Sequence, residues 1–111
     1  MFRVAIVGSR SIEVDNLSQY VPKCITMIVS GGAKGVDSQA EKFAKDNNIP
    51  FVKFKPHYEK YGKVAPIVRN KFIVEISNYV IIFWDGKSKG TLSVIKHAIK
   101  THTDFEIHLI D

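Results

Sequence analysis

Short apolar runs recur along this chain, separated by longer stretches in which apolar and polar residues follow a helical period. The first and fourth runs are almost wholly apolar, which favours strands buried on both faces of a parallel sheet. Lys53 interrupts the third run, and Glu106 and His108 alternate with apolar residues in the last, so these two are predicted edge strands. The predicted strands are Phe2–Val7, Ile25–Val29, Phe51–Phe54, Tyr79–Trp84 and Phe105–Ile110.

The stretches between these strands carry helix signals. Val36, Ala40 and Ala44 recur at helical spacing. Proline is tolerated in the first turn of a helix, so Pro66 predicts a helix start, and Ser88 or Thr91 is a candidate N-cap for the last helix. The predicted helices are Val36–Asn47, Pro66–Ser77 and Thr91–Lys100, with at most a short, weak helix within Ser11–Tyr20 and a polar loop from Pro56 to Lys63. The last helix is expected to bury Ile95, Ala98 and Ile99.

Strands that alternate with helices imply right-handed crossovers, and therefore a parallel sheet with helices on both faces. The predicted fold is α/β, a Rossmann-like three-layer sandwich. In such sheets ligands bind at the carboxyl ends of the strands, near the point where the strand order reverses. Three loops meet that description: residues 8–10, 30–37 and 85–91.

The second of these loops, within the sequence IVSGGAKGVD, joins a strand to a helix through Gly31, Gly32 and Gly35. Such a turn can present backbone N–H groups at the positive end of the helix dipole and cradle a phosphate or another anion. Glycines are equally suited to tight packing between a strand and a helix. The turn alone leaves both interpretations open.

Arg69 stands out because helical projection places it on the buried side of its helix, beside the stripe predicted from Val68, Phe72 and Ile76. It extends past the sheet edge, pairs with a buried carboxylate, or reaches a ligand phosphate from the first turn of its helix. Asn70 and Lys63 supply neighbouring donors, which favours the ligand role. Arg10 directly follows the first strand and is either a solvated loop residue or a second ligand contact.

Two carboxylates and one tryptophan lie in the same loops. Asp37 belongs to the first turn of its helix, where capping is its expected role, with ribose hydroxyls as a further one. Asp85 is a weak candidate for a general acid or base, as is Asp37. Trp84 ends a strand and is either part of the core or a surface on which a base stacks.

Composition narrows the functional classes. A chain of 111 residues that is 45% hydrophobic predicts one domain, residues 1–111. The formal net charge of +5 favours anionic partners. No run is long enough to span a bilayer, and Cys24 has no second cysteine to pair with, so we expect a cytoplasmic protein without membrane contact. The four histidines do not have the spacing of metal ligands. The tripeptide Gly86-Lys87-Ser88 lacks the first glycine of a phosphate-binding P-loop, and the dinucleotide-binding motif GxGxxG does not occur. No metal and no required cofactor are therefore predicted.

Four segments in order, GSR, VSGGAKGVD, YGKVAPIVRN and GKSKGT, resemble the SLOG superfamily of Rossmann-like nucleotide-binding domains, named after SMF/DprA and LOG proteins. The chain is most similar to the small stand-alone YspA/YpsA-like members. The resemblance implies a five-stranded parallel sheet of order 3-2-1-4-5, with a pocket built from these segments. It also suggests a homo-oligomer, through the edge strands or the third helix.

Together with Lys63 and Trp84, the residues expected to contact a ligand are Gly8, Ser9, Arg10, Ser30, Gly31, Gly32, Ala33, Gly35, Val36, Asp37, Arg69, Asn70, Gly90 and Thr91. In LOG enzymes, which remove a base from a nucleoside monophosphate, a PGGxGTxxE motif carries the catalytic glutamate, and Val94 stands at that position here. The expected function is therefore to sense or sequester a nucleotide or a nucleotide-derived ligand, such as an ADP-ribose species. The alternatives are a nucleotide-processing hydrolase of N-glycosidic or phosphate bonds and a DprA-like module that binds single-stranded DNA.

Overall fold

The structure, a computed structural model, describes residues 1–32 and 34–110. Its strands are β1 (Arg3–Gly8), β2 (Met27–Ser30), β3 (Phe51–Lys53), β4 (Tyr79–Trp84) and β5 (Asp104–Leu109). Its α-helices are α1 (Val36–Asp46), α2 (Tyr58–Tyr61), α3 (Ala65–Ile76) and α4 (Lys89–Lys100). Short 3-10 helices cover Leu17–Gln19 and Gly62–Val64.

The five strands form one parallel sheet in the order β3-β2-β1-β4-β5. This confirms the predicted α/β class, the strand order and the edge positions of β3 and β5. The strand order reverses between β1 and β4, so the loops that follow these neighbouring strands leave towards opposite faces and open a crevice at their carboxyl ends.

Each face of the sheet has its own apolar core. On one face, α1 packs Val36, Ala40 and Ala44 against residues such as Ile6 and Phe83. On the other face, α3 and α4 cover the side chains that point the opposite way along the same strands. The buried members of this second core are Ala5, Val7, Val29, Ile73, Val74, Val80, Ile82, Val94, Ile95 and Ala98. The alternation of side chains along the strands thus builds the three layers.

The predicted buried stripe of α3 was wrong. Phe72 is 43% exposed, whereas Ala65, Asn70, Ile73 and Val74 are buried. Apolar residues lie on several sides of this helix, so its sequence does not mark one buried face, and the packing against α4 and the sheet sets its rotation.

Two smaller predictions needed correction, for Ile99 and for the segment before α3, and a third, for residues 11–20, agrees with the structure. Ile99, which was predicted to be buried, is 58% exposed, because Ala98 is the last residue of α4 that packs in the core. The polar segment before α3 contains the short helix α2, in which the His57 side chain accepts a hydrogen bond from the Lys60 amide at 3.1 Å. The weak helix expected within residues 11–20 is only the turn Leu17–Gln19. Among the described residues, no helix is long and apolar enough to cross a membrane.

Candidate functional site

A cavity of about 440 Å³ lies at the carboxyl ends of β1 and β4, where the strand order reverses. This volume is within the usual range of small-molecule sites. The loops after β1, β2 and β4 and the first half of α3 form its walls. The lining residues are Val7, Gly8, Ser9, Arg10, Ser11, Gly31, Asp37, Pro66, Arg69, Asn70, Ile73, Asp85, Ser88, Gly90, Thr91 and Val94.

The end of β1 joins the walls of the cavity. A β-carbon on Gly8 would lie 2.8 Å from Val36 Cγ2, so only glycine allows α1 to pack this closely against the strand. Ser9 is buried, and its hydroxyl lies 3.3 Å from the Thr91 hydroxyl and accepts a hydrogen bond from the Asp85 amide at 3.4 Å. These bonds hold the β1 loop against the beginning of α4.

The glycine turn after β2 packs closely against neighbouring segments, and one of its glycines also lines the cavity. Gly31 lines the cavity, and a β-carbon there would lie 2.7 Å from Arg69 Nη1 and 3.1 Å from Asp37 Oδ2. Gly35 has φ of 75°, and a β-carbon there would lie 2.5 Å from the Ile12 carbonyl oxygen, so this glycine permits close packing between two loops. Ser30 is fully buried and donates its hydroxyl to the Ile6 carbonyl at 2.7 Å.

Arg69 is the best-anchored cation of the cavity. Its Nε donates to Asn70 Oδ1 at 2.9 Å, and its Nη1 donates to the carbonyl oxygens of Gly31 at 2.9 Å and Phe54 at 3.4 Å. Within the described residues Nη2 donates no hydrogen bond. Hydrogen bonds through Nε and Nη1 thus hold two sides of the guanidinium, and Nη2 lies between them.

The surroundings of Arg69 act on its pKa in both directions. Burial lowers the pKa of Arg69, and the positive charge of Arg10 acts in the same direction, whereas Asp37 and Tyr58 oppose the shift. Arginine still remains protonated at neutral pH.

Asn70 connects the third helix to the fourth. It is buried, its Oδ1 accepts from Arg69, and its Nδ2 donates to the Gly90 carbonyl at 3.3 Å. The consecutive arginine and asparagine therefore form one unit that positions the guanidinium. The helix after them adds an apolar wall through Ile73, one turn further along.

The loop between β4 and α4 is fixed by Asp85. Its Oδ1 accepts hydrogen bonds from the amides of Lys87 and Ser88, both at 2.8 Å. Hydrogen bonds from the amides of Ser88 and Lys87 lower the pKa of Asp85, so the group stays ionised and is a poor proton donor near neutral pH. Ser88 in turn accepts from the Thr91 amide at 3.3 Å, which confirms Ser88 as the N-cap of α4.

The structure brings together most of the residues predicted from the sequence, but not all. Those that line the cavity are Gly8, Ser9, Arg10, Gly31, Asp37, Arg69, Asn70, Gly90 and Thr91. Those that do not are Ser30, Gly32, Gly35, Val36, Lys63 and Trp84, and Ala33 lies outside the described residues. Trp84 packs against the core under α3 and α4 and donates its indole N–H to the Ser88 carbonyl at 3.0 Å. Lys63 is exposed in the 3-10 helix before α3.

Several lining residues were not predicted, although helical spacing points to some of them. Pro66 precedes Asn70 by four residues and Ile73 follows Arg69 by four, so each shares a side of α3 with a predicted contact. Val94 follows Thr91 by three residues on α4 and is only 2% exposed. An aliphatic side chain therefore forms this part of the wall.

Comparison with solved structures gives one similar fold. The X-ray structure of DNA processing protein A (DprA) from Streptococcus pneumoniae matches with a TM-score of 0.70 at 20% sequence identity, over 96% of this chain. The chain spans half the length of that protein. At this identity the likeness shows the Rossmann-like fold.

Sequence comparisons assign the family. No curated protein sequence matches this chain. The model of the family described as YAcAr, the YspA, cpYpsA-related SLOG family, matches residues 2–61, which is more than half of the chain and includes the β1 loop and the glycine turn. The chain belongs to the YspA, cpYpsA-related SLOG family.

Proposed function

We propose that this protein binds a nucleotide or a nucleotide-derived ligand, such as an ADP-ribose species, in the cavity at the carboxyl ends of β1 and β4, and that it senses or sequesters that ligand. The observation that carries the proposal is the pair Arg10 and Arg69, two cations that face one cavity. Arg69 is fixed by hydrogen bonds from its Nε and Nη1, which leaves Nη2 to donate to a phosphate. Such preorganisation lowers the entropic cost of binding.

The remaining walls suit the rest of such a ligand. Ser9 and Thr91, whose hydroxyl groups lie 3.3 Å apart, line the cavity, and so do the glycines Gly31 and Gly90. Val94 and Ile73 contribute apolar surface for a base or a sugar face. This combination of a few fixed polar groups with apolar walls is typical of sites that hold a small molecule.

Binding without hydrolysis is favoured by the carboxylates. Asp85 is held by two backbone amides and its pKa is lowered, so it is unsuited to donate a proton to a leaving group. Val94 supplies no carboxylate on α4. Asp37 is then the carboxylate in the cavity wall that a hydrolase would use. Asp37→Asn distinguishes hydrolysis from binding alone, because only a hydrolase would lose product formation through this change.

Calorimetric titration with nucleoside mono- and diphosphates, ADP-ribose and cyclic nucleotides tests the proposal. We expect at least one member to bind with a micromolar Kd, and Arg10→Met to weaken that binding. Chromatography of the same mixtures should return unchanged ligand. The absence of binding throughout the panel at about 1 mM ligand, a free energy near −4 kcal/mol, would refute the proposal.

A second candidate function is binding of single-stranded DNA, favoured by the formal net charge of +5 and by the similar fold of a DNA processing protein. Phosphate contacts by several lysines would make the affinity fall steeply with salt. Fluorescence anisotropy with an oligonucleotide at two salt concentrations distinguishes the candidates. A binding signal that survives 0.5 M salt, or none at 50 mM, argues against DNA.

A further inference from the structure

The strand β5 forms one edge of the sheet, with β4 on its inner side. The amide of Ile110 donates to the Trp84 carbonyl at 2.8 Å, so the backbone of this residue points inwards. Because successive residues of a strand alternate in direction, Glu106 and His108 also pair with β4, whereas Phe105, Ile107 and Leu109 direct their N–H and C=O groups outwards. In the described part of the chain, these outward groups have no hydrogen-bond partner.

The side chains of this strand separate into two chemical faces. Phe105, Ile107 and Leu109 lie on the face of the sheet that α3 and α4 cover, and Ile107 is 39% and Leu109 69% exposed. Glu106 and His108 lie on the opposite face and contact each other, and each is about one-third exposed. Edge strands that are protected against pairing with another chain carry charged residues, proline or a bulge. Exposed apolar side chains beside N–H and C=O groups without a partner are unusual on such strands.

We propose that β5 pairs with the β5 strand of a second copy of this chain, antiparallel and about a two-fold axis at Ile107. The inference goes beyond ligand binding and does not depend on it. A two-fold axis makes the contact isologous, so the same residues must be complementary to themselves. The sequence of β5 meets this requirement in one register.

Three registers would allow the outward backbone groups to pair over most of the strand, with the axis at residue 106, 107 or 108. An axis at 106 sets Glu106 opposite the partner's Glu106, and an axis at 108 sets His108 opposite the partner's His108. The axis at Ile107 instead sets Glu106 opposite the partner's His108, twice by symmetry. Two carboxylates opposite each other destabilise a strand pair, whereas an imidazole N–H donates to a carboxylate opposite it, so side-chain complementarity selects the axis at Ile107.

The same register satisfies the backbone and the apolar face. Ile107 exchanges both of its hydrogen bonds with the partner's Ile107, and Phe105 and Leu109 do the same with the partner's Leu109 and Phe105. On the helix-covered side, Ile107 meets its own copy and Phe105 meets the partner's Leu109, which covers the exposed aliphatic groups. The dimer would therefore continue the sheet from one subunit into the next.

Disulfide trapping tests the register. In a Cys24→Ser background, which removes the exposed natural thiol, Ile107→Cys would place its α-carbon about 5.5 Å from that of its own copy, within the range that a disulfide spans. Leu109→Cys is the matched control: four residues separate position 109 from its copy along the strand axis, about 13 Å, too far for a disulfide. Leu109 is also the more exposed site, so chance collisions would favour the control.

We expect mild oxidation to cross-link Ile107→Cys at least about tenfold faster than Leu109→Cys, a ratio set by geometry. Sedimentation equilibrium should show a dimer of the unmodified chain that Ile107→Pro weakens by about tenfold or more, because the lost N–H points outwards and serves only the interface. Ile107→Thr, which keeps the backbone donor and β-branching, should dimerise. Equal cross-linking of the two cysteine variants, or a chain that stays monomeric at about 1 mM, would overturn the proposal.

Discussion

Replacing Arg69 by methionine tests whether the cavity is built around an anchored cation. The change keeps most of the aliphatic stem but removes hydrogen bonds to Gly31 and Asn70 at 2.9 Å and a longer one to Phe54 at 3.4 Å. A hydrogen bond that involves a charged group contributes roughly 1.5–3 kcal/mol, and a long one contributes less. We therefore expect Arg69→Met to lower the free energy of unfolding by about 2–4 kcal/mol.

Arg10→Met is the matched control, since it removes the same charge from an exposed residue whose side chain donates no hydrogen bond to the described residues. Its unfolding free energy should stay within about 0.5 kcal/mol of the unmodified protein. Both variants should bind a phosphate-bearing ligand about 10- to 100-fold more weakly, through loss of a charge-assisted contact.

Urea unfolding followed by circular dichroism measures the stability difference, and calorimetry measures the affinities. With an m-value of about 1–2 kcal/mol/M, the Arg69→Met midpoint should fall by about 1–4 M. If Arg69→Met unfolds at the same urea concentration as Arg10→Met, then Arg69 is not anchored and the argument for a preorganised cation fails.

Three further predictions follow from individual contacts. Gly35→Ala should lower the free energy of unfolding by about 2 kcal/mol more than Gly86→Ala does, as measured by urea unfolding. Both glycines have φ near 80°, but of the two only Gly35 would place a β-carbon against backbone atoms. Equal midpoints would show that the loops can separate without cost. Because the pKa of Asp85 is lower in the folded protein than in the unfolded chain, its ionised carboxylate stabilises the fold at pH values above the unfolded pKa of about 3.9. This stabilisation is lost as the pH falls through the folded pKa. Asp85→Asn should therefore flatten the acid limb of the stability–pH curve, and an unchanged limb would contradict the assignment. The hydrogen bond to Glu106 raises the pKa of Tyr79 to about 12, so its stabilisation is present below pH 10 and is lost between about 10 and 12. Absorbance titration should show the pKa of Tyr79 returning towards 10 in Glu106→Ala, which removes the acceptor, and no movement would exclude the hydrogen bond as the cause.

The sequence determines the sheet more fully than it determines the orientation of the helices on it. Continuous apolar runs such as Val4–Val7 and Val80–Phe83 can be placed only in buried central strands, and the glycines mark where strands end. The third helix carries apolar residues on several sides, so no period marks its buried face, and Phe72 was placed wrongly. Tertiary packing decides the rotation in such a case.

The order of the sequence motifs predicted where the cavity lies. It did not distinguish the residues that line the cavity from those that only support the loops around it. Gly35 and Ser30 belong to the same turn as Gly31, yet their roles are packing and a buried hydrogen bond. Whether a glycine lines the cavity or permits close packing depends on which distant loop contacts it, and the local sequence does not encode such long-range contacts. Trp84 shows the same limit, since its ring lies in the core rather than at the cavity.

We propose that a nucleotide-like ligand binds in the cavity at the carboxyl ends of β1 and β4. Amide chemical shifts of the isotopically labelled protein, followed during titration with the tightest ligand of the panel, locate the binding site. We expect the largest shifts at Gly8, Gly31, Arg69, Asn70 and Thr91, while the amides of β3 and β5 stay unchanged. Saturating shifts at other residues, or no shifts at millimolar ligand, would contradict it.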